Sequence, residues 1–176
     1  NGQKVVVTNV DELAAAGFSI DGLTFVGDKL QVTTSPPVIV GPTQIPGITS
    51  ADALDTLDQM GTLLTLAVPI SGVIVKALWY DPSDQGTGVE VWLFNASVTL
   101  AASDAAFSLS DADLYQCIGV LTFGAFKDAV NGQIGVTVDT PLSYNAAGGQ
   151  IFAAVKTIGA PTHTTPAFPR LYLEIA

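Results

Sequence analysis

The chain has 176 residues and a formal net charge of −10. Charged residues make up 12% and apolar residues 48%. That length suits one domain with an arm or a small second lobe, and it is long enough to hide about 70% of its unfolded surface. The six basic residues, Lys4, Lys29, Lys76, Lys127, Lys156 and Arg170, are scattered singly. Phosphate backbones need clustered cations, so nucleic acid is excluded as a direct partner. Charge is about half the usual share and mean hydropathy is +0.46. Such a chain either wears a neutral Ser/Thr/Gly surface or covers much of itself with partners. The second reading is preferred, since exposed apolar patches mark interfaces.

Residues 1–49 read as an N-terminal arm. "VDELAAAG" (10–17) predicts a short helix, with Asp11 near its start and Gly17 as its stop. "GLTFVGDKLQVT" (22–33) predicts two short strands around a Gly27–Asp28 turn. No basic and apolar leader opens the chain, so no signal peptide is expected. "SPPVIVGPTQIPG" (35–47) holds four prolines and reads as a semi-rigid apolar strap. Its Pro36, Pro37, Val38, Ile39, Val40 and Ile45 are the candidate interface residues. The strap either packs on its own domain or reaches a neighbouring subunit.

Residues 50–176 read as all-β. Strands are expected at 62–68, 72–80, 88–95, 97–101, 117–124, 133–138, 150–157 and 170–175. In "VEVWLFN", Val89, Val91 and Leu93 face one way and Glu90, Trp92 and Phe94 the other. "RLYLEIA" alternates in the same manner. "LLTLAVPISGVIVKALWY" (63–80) imitates a membrane span, but Pro69, Ser71 and Gly72 break it, and two strands joined by a turn explain it better. "DPSDQGTG" (81–88) has the composition of a hairpin loop. About eight short strands predict an antiparallel two-sheet β-sandwich, with a jelly roll as the expected form.

Several acidic and aromatic groups invite a chemical reading. In "TLAASDAAFSLSDADLYQC" (99–117), Ser110 and Asp113 form a near capping box. Asp111 and Asp113 sit at the positive end of a helical turn, and Asp104 sits in a turn. Capping accounts for all three acids. The loop Asp81, Asp84, Gly86, Gly88, Glu90 lacks EF-hand spacing and reads as a hairpin. His163 and Cys117 are the only residues of their kinds, which removes multi-histidine and thiolate metal sites. His163 is expected to be an exposed loop residue, and Cys117 a small buried hydrophobe. No G-x-S-x-G elbow or phosphate-cradling glycine loop is present. "NAS" (95–97) is a sequon expected by chance within a strand. Trp79, Trp92, Tyr80 and Tyr115 are either packing residues or a sugar platform. No catalytic residue, metal or cofactor is expected, and no membrane partner. A glycosidase-like pair finds only Glu12, Glu90 and Glu174 as glutamates.

From about Thr65 onward the chain resembles a family of small structural proteins of tailed bacteriophages. The stretches that carry the resemblance are "VPISGVIVKALWYDPSDQGTGVEVWLFNASVT" (68–99), "DAAFSLSDADLYQCIGVLTF" (104–123) and "PRLYLEIA" (169–176). The resemblance implies a virion component on the outer surface of the head, a capsid decoration or cement protein with a jelly-roll sandwich. It also implies the major capsid protein as partner and a homo-oligomer, a trimer suited to threefold positions. The alternative is a receptor- or glycan-binding module of a phage tail or fibre.

Overall fold

The computed structural model describes the backbone of residues 23–26 and 29–32, and residues 36–137, 141–163 and 167–176 in full. The chain divides into two compact units, residues 1–36 and residues 37–176. In the first, β1 (Leu23–Val26) and β2 (Lys29–Val32) pair antiparallel, with Val26 opposite Lys29. That is the hairpin expected around residues 27 and 28. The helix expected over residues 10–17 lies outside the described residues.

The second unit is two antiparallel sheets packed face to face, a β-sandwich-like arrangement. One sheet holds β3 (Val38–Gln44), β12 (Arg170–Ile175), β5 (Ser71–Asp81), β9 (Gln133–Thr137) and β8 (Phe126–Asp128), in that order. β10 (Leu142–Asn145) also pairs with β5. The other sheet has the order β4 (Gln59–Ala67), β11 (Gln150–Thr157), β6 (Val89–Phe94), β7 (Cys117–Phe123). Among the described residues the helix content is one turn, α1 (Asp111–Leu114), and no helix is long and apolar enough to cross a membrane.

Alternation places the core. Leu171, Leu173 and Ile175 of β12 face inward, as do Val89, Val91 and Leu93 of β6. They meet Leu64 and Leu66 of β4, Ile151 and Val155 of β11, and Trp79 of β5. Trp79 and Phe123 bridge the sheets with ring centroids 6.0 Å apart. Both are almost fully buried, so each contributes on the order of 2–3 kcal/mol of apolar transfer energy.

Four expectations need correction. The proline-rich strap is not a detached arm: its residues 38–44 are β3, the edge strand of the first sheet, paired with β12 from Val38–Ile175 to Gln44–Arg170. The boundary expected between residues 49 and 50 therefore falls at 36/37. Proline is tolerated there because an edge strand need not donate on its outer side. At Val40–Thr43, opposite Leu171–Leu173, β3 carries one extra residue. Gly41 occupies this bulge at φ +97°, where a Cβ would lie 2.5 Å from the Leu171 carbonyl oxygen.

Second, residues 81–88 are not a hairpin loop, because β5 and β6 belong to different sheets. Third, residues 97–101 form no strand, and residues 126–128 and 142–145 form short ones. Fourth, the "NAS" sequon is not within a strand: Asn95 follows the end of β6, exposed.

Candidate functional site

In the 99–117 stretch Ser110, Asp113 and Asp104 shape the chain locally, and Asp111 lies in the first turn of α1. Ser110 caps α1: its Oγ accepts from Asp113 N at 3.1 Å and donates to Asp113 Oδ2 at 2.7 Å. Asp113 Oδ1 accepts from Thr99 N at 3.4 Å. Asp104 turns the chain at φ +68° while its N–H donates to Gln59 O at 3.0 Å. The Asp113 carboxylate organises backbone, as a capping motif requires. Cys117 is half-buried in the cluster beneath this segment.

The 81–88 loop is organised by its first residue. Asp81 is buried, and its carboxylate accepts from Ser83 N at 3.0 Å, Gln85 N at 2.9 Å and Gln133 Nε2 at 3.2 Å. The loop is latched to the β11–β12 connection: Ser83 Oγ donates to the Ala167 carbonyl, and Thr162 N donates to Gln85 Oε1 at 2.9 Å. His163 is drawn in behind this latch. It is 4% exposed, not the exposed loop residue expected, and its Nδ1 lies 3.9 Å from Asp81 Oδ1. Sequence reasoning missed it because burial of a Thr/Pro-flanked loop is a tertiary effect with no local pattern. Among the described residues no group of three or more His, Cys, Asp and Glu side chains could hold a metal.

Burial holds the His163 pKa below the usual imidazole value, against the pull of the Asp81 and Asp52 carboxylates. The folded protein therefore resists a proton that the unfolded chain accepts near pH 6.5. Stability from this residue is complete above that pH and is lost as pH falls through it toward the lower folded value. Denaturant melts should show stability declining as pH falls below about 6.5, with a smaller slope in His163→Gln. An unchanged slope in the variant would assign the decline to other groups.

The outer faces of the two sheets differ. The second sheet is covered by its own chain: residues 95–116 lay Val98, Leu100, Phe107 and Leu109 over Leu63, Trp92, Phe152 and Ala154. Trp92 and Phe107 stack with centroids 5.6 Å apart. Beside them Lys156 Nζ sits 2.6 Å from Glu90 Oε2 and 5.7 Å from the Trp92 ring. The Lys156 hydrogen bond holds the Glu90 carboxyl below its ordinary range. No described segment of residues 37–176 crosses the first sheet's outer face in this way. There Pro42, Leu78, Tyr80, Ile134, Arg170 and Tyr172 line a shallow groove of about 400 Å³.

The four aromatics considered as a sugar platform go separate ways. Trp79 is core, Trp92 lies under the 95–116 segment, Tyr80 is on the open face, and Tyr115 is 86% exposed in the turn after α1. The candidate interface residues also divide. Pro36, Pro37, Val38 and Ile39 are exposed, Val40 packs partly on the core, and Ile45 is fully buried. Ile39 pairs with Glu174, whose side chain is outward, and so shares the open face with Pro42. Compared with family models, curated proteins and solved structures, this chain finds no match.

Proposed function

We propose that this chain is a non-enzymatic virion protein that binds and reinforces the outer surface of a phage capsid, and that its sandwich is a jelly roll. Support for the jelly roll is the strand order. The chain alternates between sheets at β3, β4, β5 and β6, and returns through β11 and β12. This leaves β12 between β3 and β5, and β11 between β4 and β6, the interleaving that two nested Greek keys produce.

The observation that carries the functional reading is the open apolar face, bordered by the exposed edge of β3. A free subunit gains nothing from Tyr80, Ile134 and Val136 in water, whereas docking on a shell turns such area into adhesion. Repetition over many joints multiplies a modest local affinity. The resemblance of the 68–99, 104–123 and 169–176 stretches to phage structural proteins points to the major capsid protein as the partner.

The test is reconstitution. Purified protein is mixed with heads that lack it, and occupancy and heat resistance are measured. Saturable binding that raises the temperature of head rupture is expected. Absence of binding to heads, with binding to host-surface glycans, would replace this reading with the tail or fibre module.

A further inference from the structure

The first sheet presents its outward side chains in cross-strand rows. Strand register puts Arg170 beside Tyr80 and Tyr80 beside Ile134. The next row is Tyr172, Leu78 and Val136, and the third begins with Glu174 and Lys76. The rows differ in kind: a cation with apolar neighbours, then a wholly uncharged row, then an ion pair with Lys76 Nζ 3.7 Å from Glu174 Oε2. Arg170 has no ion-pair partner among the described residues.

We infer that in the free protein, away from any shell, this face is the contact surface for a second copy of the same chain, related by a two-fold axis, so that self-pairing and the docking proposed above compete for it. The axis lies between the two faces, across the strands, along the Tyr172–Leu78–Val136 row. A rotation of this kind stacks each strand antiparallel on its own counterpart. The uncharged rows then meet each other. The first row of each copy meets the third row of the other, so Arg170 opposes Glu174 of the second copy and Tyr80 opposes its Lys76. The first contact is an ion pair in a partly desolvated site and the second a cation–π contact. A two-fold axis running along β12 would instead set Arg170 against Arg170, and one along β5 would set Lys76 against Lys76, both of which like-charge repulsion disfavours. The charge pattern is thus self-complementary across the central row, as an isologous interface requires.

The size of the face sets the strength. Four strands about 4.8 Å apart and three outward rows give a patch of roughly 400 Å² in plan. Standard interfaces bury about 800 Å² per partner. The association is therefore weak, with a dissociation constant in the micromolar range or above.

The experiment is sedimentation equilibrium of the full chain from about 10 to 500 μM, a span chosen to bracket such a constant. Wild-type mass should rise toward two chains with concentration. Arg170→Glu should weaken the pair by roughly tenfold or more, because each substitution turns an attraction into a repulsion and the interface contains two. The double variant Arg170→Glu/Glu174→Arg reverses both charges and should restore pairing. Circular dichroism and melting confirm that the variants fold, and Tyr172→Ser offers a second, uncharged disruption of the central row. A single-chain mass at all concentrations would overturn the inference. So would an oligomer of any size that ignores Arg170→Glu, or loss of pairing that the charge swap fails to restore.

Discussion

A chain that begins at residue 48 should fail to fold, whereas one that begins at residue 37 should retain a cooperative unfolding transition. The longer cut removes β3 and with it the ladder to β12. It also removes Ile45, which is fully buried in the main core and whose N–H donates to the Pro169 carbonyl at 3.0 Å. Loss of an Ile side chain alone costs about 2–5 kcal/mol. Loss of the strand also bares one edge and one inner margin of β12. Together these approach the whole stability of a domain this size, about 5–15 kcal/mol. Thermal melts followed by circular dichroism decide it. A cooperative transition in the 48–176 fragment would mean that β3 is dispensable, as a detached strap would be.

Trp79→Ala should be the most damaging single substitution in the sandwich. Trp79 lies on the inner side of β5, 2% exposed, between Ala77 and Asp81, and its ring meets Phe123 across the sheets. Truncation leaves a cavity that a strand held by β12 on one side and β9 on the other cannot close. The expected cost is about 3–5 kcal/mol. Tyr80→Ala, one residue away on the open face, should cost about 1 kcal/mol or less by comparison, since Tyr80 and its cross-strand neighbour Ile134 are exposed. Urea denaturation of the two variants makes the contrast measurable. Equal losses would contradict the assignment of inner and outer faces.

The sequence showed most clearly what local chemistry determines. Period-two alternation located β6 and β12 and assigned their inward residues. Ser110 and Asp113 announced α1, and the Gly27–Asp28 turn announced the β1–β2 hairpin. What escaped was decided over long range. β3 was hidden because four prolines argue for a strap, and only the presence of β12 beside it makes an edge strand of Val38–Gln44. The 81–88 segment has hairpin composition, yet Asp81 uses its carboxylate to fold the loop on itself and carry the chain to the other sheet. The burial of His163 depends on that same loop. The open face was half legible. Its strands alternate, but nothing local distinguishes a side that the chain covers, as residues 95–116 cover Trp92, from one that no described segment of residues 37–176 crosses.

The central claim concerns location, and an image of the intact particle tests it most directly. A cryo-EM reconstruction of the virion should show density for the two-sheet unit on the outside of the head, repeated at symmetry-related joints between capsid subunits. Density confined to the tail or its fibres, or lying inside the shell, would contradict the account.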